Sequence, residues 1–197
     1  MSKIMYQGLR SVHDTTKKEI MDKTLHLISR KFICNYTIES LSKEIGVDKN
    51  LISKRFSSVD DILCSIITRA AAVSNESVLG IGNTPLSPKK KLEILTNTML
   101  SGMDANIELA EEFVLMMKME TEDIYSSTVQ EYCGAPIFCV AKIIEEGQRR
   151  GEFVDGDSTE LSKLYWMYVQ GIAVICISYG EGFNPPDSKY VYGFLMK

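Results

Sequence analysis

The stretch TIESLSKEIGVDKNLISKRF, residues 37–56, holds two short helical patterns of apolar residues separated by a glycine. Thr37 is a good N-cap for the first helix, and Gly46 lies where a helix end favours the left-handed conformation. Asp48 can cap the second helix, whose Leu51 or Ile52 would point inward. The small side chain of Ser42 would let the two helices approach. The apolar residues expected to hold them together are Ile38, Leu41, Ile45, Val47, Ile52 and Phe56.

This spacing predicts a helix-turn-helix, in which the second helix lies in the major groove of DNA. The outward side chains of that helix are cationic or can hydrogen-bond, which suits phosphates and base edges. Two alternatives remain open: these residues form the solvated face of a short helix, or the hairpin belongs to another kind of protein. The candidate DNA contacts are Lys49, Asn50, Ser53, Lys54 and Arg55, together with Thr37, which is expected to act mainly as a cap.

Charge is distributed unevenly along the 197 residues. The whole chain has a formal net charge of -4, which by itself argues mildly against nucleic acid. Residues 1–56, however, carry 11 Lys and Arg against 6 Asp and Glu, so this segment is basic and the remainder is strongly acidic. A basic head on an acidic body favours contact between the head and phosphate, although chance clustering would give the same pattern.

The rest of the chain shows helical periodicity almost throughout, which predicts an all-α fold. One helix is expected over residues 17–32, and another starts at Ser58, with Asp61 as its capping-box partner. A break is expected over residues 80–91, where Ser87 and Pro88 form an N-cap and N1 pair. Further helices are expected over residues 107–119 and 135–150, the latter with Pro136 in its first turn.

The last long helix, expected over residues 161–178, is apolar on nearly all sides. Its continuous apolar part is shorter than the roughly 20 residues that a membrane span requires, and it contains Gln170, so we expect no membrane partner. A helix of this kind must be buried on every side. In a small protein a second copy of the chain can cover one flank, and we therefore expect a homodimer through the C-terminal helices.

The segment from Lys17 to Ile67 resembles the tetracycline-repressor-type (TetR) family of bacterial transcription regulators. The resemblance rests on the threonine, isoleucine-x-x-x-glycine-valine and phenylalanine-x-x-acid-x-leucine pattern of TIESLSKEIGVDKNLISKRFSSVDDIL, residues 37–63. A weaker match is IIEEGQRRGEF, residues 143–153, which is similar to the family's glycine-x-x-x-glycine-x-phenylalanine corner. The family has no sequence signature between these two patches.

The resemblance implies a three-helix DNA-binding head over residues 1–56 and a helical ligand-binding and dimerisation body over residues 57–197. It also implies a double-stranded, palindromic DNA operator and a repressor that a small apolar or amphipathic effector releases. The chain departs from the family at three positions. Ser53 replaces a tyrosine and Val59 replaces a lysine, both of which normally touch phosphate, and Leu51 replaces a small residue. Lys54 and Arg55 can compensate from the same helix face.

Methionine and aromatic side chains in the body suggest an adaptable apolar cavity for the effector. For each residue taken alone, ordinary core packing is the alternative interpretation. The candidate effector contacts are Phe113, Met116, Met117, Tyr125, Phe138, Trp166 and Tyr168.

Other classes of function find little support in the sequence. The five cysteines are scattered and odd in number, which indicates free thiols in a reducing, cytoplasmic compartment. His13 and His26 are too far apart for a metal site, and no phosphate loop, nucleophile elbow or acid pair is present. We therefore expect no cofactor, no metal and no catalysis. The alternatives retained are a helical interaction module that has lost DNA binding and a small helical enzyme.

Overall fold

The computed structural model describes residues 15–31, 36–120 and 123–197, without the side chains of residues 15, 120, 123–133 and 181. Within these ranges the chain is all-α, as predicted, and its single isolated β-bridge joins Phe153 to Met196. The long helices are followed by a short C-terminal segment of helical turns. The helices are α1 (Thr15–Arg30), α2 (Ile38–Ile45), α3 (Lys49–Ser53), α4 (Val59–Gly82), α5 (Pro88–Ala105), α6 (Ile107–Glu120), α7 (Asp123–Arg149), α8 (Ser158–Tyr179) and α9 (Lys189–Tyr192).

The helix-turn-helix forms at the predicted residues. Thr37 caps α2 in a reciprocal capping box with Ser40, and Gly46 adopts the left-handed conformation with φ 65°. The carboxylate of Asp48 accepts hydrogen bonds from the first backbone N–H groups of α3. The sequence left open whether Leu51 or Ile52 points inward. In the structure Ile52 is fully buried and Leu51 is exposed, so Ile52 is the inward residue.

The connecting helix α4 begins where expected but ends later. Ser58 caps it by accepting from the backbone N–H of Asp61. The carboxylate of Asp61 reaches back to the backbone N–H of Ser57 instead of Ser58, so the expected capping box is displaced by one residue. The expected break is present but starts at Asn83 and not at Gly80, because α4 continues to Gly82 and includes both glycines in its final turn.

The start of α7 differs most from expectation. The helix runs from Asp123 to Arg149, so Pro136 lies in its interior and not in a first turn. Proline lacks a backbone N–H and disfavours helix interiors, which is why the sequence pattern suggested a helix start there. In the structure Pro136 is buried, and removing apolar surface from water favours the helix that the missing hydrogen bond disfavours. The Ser87 cap with Pro88 at the start of α5 is confirmed.

The corner between α7 and α8 explains a glycine motif seen in the sequence. A Cβ atom on Gly147 would lie 2.3 Å from the ring of Phe153, so only glycine allows this fully buried ring to pack against α7. Gly151 has φ 71° and ends the helix. Asp157 then caps α8 by accepting from Thr159 and Glu160. The motif therefore fixes the angle at which α8 returns along α7.

Two hydrophobic clusters organise the molecule. The head cluster joins α1–α3 to the first half of α4, as far as Ile67, and also includes Leu115 and Met119 from α6. The body cluster joins the end of α4 to α5–α9 and includes Phe113 from α6. Helix α6 therefore contributes side chains to both clusters and is a direct mechanical link between them.

Candidate functional site

The exposed face of α3 presents the predicted DNA contacts together. Lys49, Asn50 and Ser53 are exposed on the helix, Lys54 is exposed at its C-cap, and Arg55 is partly buried next to it. Ile52, on the opposite face, is fully buried in the head cluster. The guanidinium of Arg55 donates to the backbone carbonyl of Leu51 at 3.4 Å, which keeps it beside the helix.

The turn between α2 and α3 is fixed by a side chain as well as by Gly46. The hydroxyl of Ser42 donates to the backbone carbonyl of Val47 at 2.6 Å. The backbone N–H of Val47 in turn donates to the carbonyl of Ser42 at 3.2 Å. The predicted role of Ser42 as a spacer is therefore only part of its contribution, because it also closes the turn that orients α3.

Three positions around α3 refine the sequence interpretation. Thr37 is exposed beside the turn, and its hydroxyl and backbone N–H are engaged with Ser40. Val59 is buried in the head cluster, so it cannot replace the phosphate contact that a lysine would make there. Leu51, 41% exposed, lies on the outer face and is suited to contact a thymine methyl group. Sequence analysis missed this candidate, although the four-residue step from Ile52 to Phe56 could have assigned Leu51 outward.

The lysines of the head differ in whether they form ion pairs. Lys31 pairs with Glu44 at 2.6 Å and Lys43 pairs with Glu39 at 3.4 Å, so these charges are balanced locally. Across the described part of the chain, Lys49 and Lys54 make no ion pair. Two uncompensated cations on the outer face of a rigidly capped helix give the head a positive surface at this face.

The junction between head and body is a network of charged side chains. Glu111 of α6 is almost fully buried, and its carboxylate contacts the guanidinium of Arg30 and lies 2.9 Å from Nδ1 of His26. Arg69 of α4 pairs with Asp22 of α1 at 2.7 Å. The same guanidinium pairs with two further carboxylates of α6, Glu108 at 3.2 Å and Glu112 at 3.9 Å.

Opposing effects act on the pKa of Asp22 in this network. Burial alone would raise it, but hydrogen bonds from Lys18 and Arg69, and the charges of these two groups, outweigh burial and lower the pKa of this carboxyl group. Asp22 is therefore ionised at neutral pH and holds α1 against α4.

Lys118 makes a second link between α6 and the head. Its ammonium group donates to the backbone carbonyls of Ile28 at 2.8 Å, Ser29 at 2.9 Å and Lys31 at 3.0 Å. These carbonyls belong to the C-terminus of α1, where a helix leaves acceptors unsatisfied. Burial lowers the pKa of Lys118. Lys118 of α6 thus caps the C-terminus of α1.

Within the body, the predicted effector residues separate into two groups. Phe113 and Trp166 are buried together, with ring centroids 6.2 Å apart, and Met116 packs against the same cluster. Met117 is partly buried. The side chain of Tyr125 lies outside the described residues. The structure therefore brings Phe113, Met116 and Trp166 to one apolar region.

Phe138 and Tyr168 do not face that interior. Phe138 is 62% exposed, below the ammonium of Lys142, and Tyr168 is 51% exposed with its ring 5.4 Å from Phe194. Sequence analysis grouped them by residue type, whereas their helical phase puts them on outer faces. Phe138 instead borders an open cleft of about 440 Å³ between α4, α5 and α7.

An exposed apolar stripe runs along α8. Among its members, Met167 and Ile175 are at least half exposed. By length and composition both α4 and α8 could cross a membrane, yet each buries one side against other helices of the body. On α8 the opposite side remains uncovered in the single chain. The large apolar residues of this stripe are Leu164, Met167, Tyr168, Val174, Ile175 and Tyr179.

No group of three metal-ligating side chains occurs among the described residues. Cys139 and Cys176 are buried thiols whose pKa values are raised by burial, which keeps them protonated. His13 lies outside the described residues, and His26 belongs to the head–body junction.

No family model and no curated protein matches this sequence. Solved structures do match over almost the whole chain. A TetR-like transcriptional regulator from Rhodococcus sp. RHA1 superposes with a TM-score of 0.72 at 13% identity, covering 94% of this chain and 95% of that one. This chain has the TetR-like fold.

Two further structures share the TetR-like fold of this chain. The fatty acid degradation regulator FadR from Bacillus halodurans has a TM-score of 0.70 at 15% identity, covering 92% of this chain and 93% of that one. FadR from Bacillus subtilis, solved in complex with stearoyl-CoA, has a TM-score of 0.69 at 17% identity, covering 91% and 97%. Each of these matches covers more than nine-tenths of this chain.

Proposed function

We propose that this protein is a TetR-type transcriptional regulator that binds DNA, and that it is a repressor released from its operator by a small apolar or amphipathic molecule. The observation that carries the proposal is the outer face of α3, where Lys49 and Lys54 make no ion pair within the described chain. The helix is capped by Asp48 and oriented by the bond between Ser42 and Val47. A rigid cationic helix of this kind suits the major groove.

The symmetry of the operator depends on how many DNA-binding heads the assembled protein carries. If two copies join through the apolar stripe of α8, two α3 helices face the same side of the DNA. They then reach successive major grooves when their centres are roughly 34–36 Å apart, which requires a palindromic site. The exposed stripe supports this dimer, since a face with six large apolar residues is costly to leave in water.

The effector would act through α6. This helix places Phe113 in the body cluster, Leu115 and Met119 in the head cluster, and Glu111 and Lys118 against α1. A ligand that displaces α6 would therefore alter the position of the head. Repression is relieved if the ligand-bound arrangement disfavours the spacing that the operator requires.

Residues 1–56 would form the DNA-binding head and residues 57–197 the ligand-binding and dimerisation body of a cytoplasmic, non-catalytic protein. The sequence supports this division through its charge asymmetry. In the structure, the head cluster extends into α4 as far as Ile67, which makes α4 a stiff connection between the two parts.

Selection from a random duplex library at several salt concentrations tests the proposal. We expect a palindrome and a linear fall of log affinity with log salt. The variant Lys54→Glu with Arg55→Glu should weaken binding at least tenfold and reduce the magnitude of the salt slope by about one unit for each phosphate contact removed. Circular dichroism would verify that the variant is folded.

The matched control is Lys189→Glu with Lys197→Glu, which makes the same change in net charge on the body, where both lysines form exposed ion pairs. This control should retain the affinity, since its charges lie outside the proposed interface. Equal binding by Lys54→Glu with Arg55→Glu would remove α3 from the interface. Absence of a preferred sequence for the unaltered protein at low salt would favour the interaction module instead.

A further inference from the structure

The open cleft beside Phe138 lies between the last turn of α4, the first turn of α5 and the second half of α7. It is bounded by α4 from Leu79 to Asn83, by Lys91 of α5, and by α7 from Phe138 to Arg149. Its volume of about 440 Å³ falls within the roughly 300–1,000 Å³ that is usual for ligand pockets. All of its bounding side chains belong to described residues, so they define its apolar and charged surface.

Two of the bounding residues join α4 directly to α7. The thiol of Cys139 donates to the backbone carbonyl of Val78 at 3.5 Å. A Cβ atom on Gly82 would lie 2.5 Å from the sulfur of Cys139, so any larger residue at position 82 would require one of the two helices to shift. These contacts fix the separation of α4 and α7, and the cleft is therefore already formed in the single chain.

The apolar wall of the cleft is exposed to solvent. Phe138 is 62% exposed and Leu79 is 44% exposed, and both border the same concave surface. Ile143 adds a buried apolar side chain to this wall. Large apolar side chains that line a concavity favour burial under the hydrocarbon part of a ligand.

Five charged side chains bound the cleft, and four of them form two ion pairs. Arg149 pairs with Glu145 at 3.1 Å, and the buried Lys91 pairs with Glu146 at 3.2 Å. The hydrogen bond from Lys91 is the main cause that lowers the pKa of Glu146, so this carboxylate is ionised at neutral pH. The two pairs together contribute no net charge to the cleft.

Lys142 is the fifth charged residue of the cleft, and no carboxylate neutralises it within the described chain. Its ammonium lies 4.4 Å from the ring centroid of Phe138. One uncompensated cation therefore stands next to the exposed apolar wall. This combination suits a molecule that carries one negative charge on a hydrocarbon group, because the anion gains a charge-assisted hydrogen bond. A cationic ligand would be repelled, and a neutral one would gain only the apolar contact.

We propose that this cleft binds the effector and that the effector is an amphipathic monoanion, a single carboxylate attached to a hydrocarbon group. The carboxylate accepts a hydrogen bond from the ammonium of Lys142, and the hydrocarbon covers Phe138 and Leu79. The effector thus lies in this surface cleft and not in the apolar interior around Phe113. The inference rests on the proposed function and deepens it, since it names the chemical class of the effector.

The cleft is connected to the head through α4. Leu79 belongs to the last turn of this helix, and the first half of the helix lies in the head cluster as far as Ile67. Arg69 of α4 pairs with Glu108 of α6 at 3.2 Å, so a shift of α4 also reaches α6. A ligand that favours a different position of α4 would therefore move the head, as release from the operator requires.

Calorimetry on the full chain at neutral pH tests the ligand class. The probes are octanoate, decanoate and 4-phenylbutyrate, with octanamide and octylammonium as the neutral and cationic counterparts of octanoate. We expect at least one carboxylate to bind saturably with one site per chain. Octanamide and octylammonium should bind at least tenfold more weakly than octanoate. Failure of all three carboxylates to bind overturns the inference, as does equal or tighter binding of octanamide.

Lys142→Met keeps the apolar stem of the exposed side chain and removes its charge. This variant should bind the carboxylates at least tenfold more weakly and leave the affinity for octanamide unchanged. The matched control is Lys189→Met, which removes a lysine that lies 5.0 Å from the ring centroid of the exposed Tyr190, outside the cleft. The control should bind the carboxylates as the unaltered protein does. Unchanged carboxylate affinity of Lys142→Met overturns the proposed contact.

Phe138→Ser tests which molecule covers the apolar wall. We expect at least tenfold weaker carboxylate binding and an unchanged sedimentation coefficient. A variant that loses self-association would show that a second copy of the chain covers the cleft, which overturns the inference. These measurements contain no DNA. If the carboxylates fail to bind while the protein still selects an operator, the ligand class is rejected and the proposed regulator is retained.

Discussion

The ammonium of Lys118 lies 2.8 Å from the backbone carbonyl oxygen of Ile28, which joins helix α6 to the C-terminal end of α1 in the head. The same group also donates to Ser29 and Lys31. A helix C-terminus carries a partial negative charge and unpaired carbonyls, and a lysine satisfies both. The C-terminus of α1 is therefore capped by a side chain of α6, so the orientation of α1 depends on the position of α6.

Lys118→Met should remove the hydrogen bonds of this cap while keeping the approximate length and the apolar stem of the side chain. We expect the free energy of unfolding to fall by about 1–3 kcal/mol, because a charged donor is lost from three partly buried carbonyls. Urea unfolding monitored by circular dichroism measures the change. Lys90→Met, which removes an exposed lysine paired with Glu93, is the control and should change stability by less than about 1 kcal/mol. Equal effects of the two substitutions would show that the cap contributes little.

The contact between Arg30 and Glu111 should be energetically coupled. Glu111 is buried, so removing Arg30 alone leaves a carboxylate with too few partners. A double-mutant cycle with Arg30→Met and Glu111→Gln should give an interaction energy of about 1–3 kcal/mol. The same cycle measured by operator affinity would show whether the contact also sets the position of the head. Additive effects in both measurements would contradict a direct link.

Acid should weaken the head–body junction through Asp22. Its pKa in the folded protein is lowered by Lys18 and Arg69 in spite of burial, so the unfolded state binds the proton more readily. The resulting stability is fully present above the unfolded pKa and is lost as pH falls through the folded pKa, which predicts a decline from about pH 4 downwards. Asp22→Asn should be less stable at neutral pH and show a smaller decline in acid. Asp155→Asn, at an exposed carboxylate, is the control and should follow the unaltered protein.

Local signals predicted the head closely because its helices are defined by short-range chemistry. Thr37, Gly46 and Asp48 act within four residues of their own positions, and the structure places each as expected. The start of α7 was mispredicted because Pro136 in a helix interior is tolerated only through packing that sequence periodicity does not contain. Phe138 was misassigned because residue type was weighed above helical phase.

The junction could not be predicted from sequence for a related reason. Glu111 and Glu112 have the pattern of a solvated helix face, and only the tertiary fold brings Arg30 and Arg69 against them. Likewise, Lys118 has no sequence neighbour that identifies its role, since its acceptors lie at least 87 positions away. Long-range polar contacts of this kind depend on how the helices pack, which the pattern of one segment does not determine.

The apolar stripe of α8 should hold two copies of the chain together. Ile175 lies on this stripe and is 50% exposed, so Ile175→Glu is compatible with the fold of a single chain but would place a charge in a dimer interface. We expect sedimentation velocity to show a dimer for the unaltered protein at micromolar concentration and at least tenfold weaker association for the variant. The control is Lys90→Glu, at an exposed lysine of α5 that pairs with Glu93, and this variant should remain dimeric. Operator affinity should fall with Ile175→Glu even though α3 is unchanged, because each head must then bind its half-site alone. A monomeric unaltered protein, or a dimer that tolerates Ile175→Glu, would contradict the proposed interface.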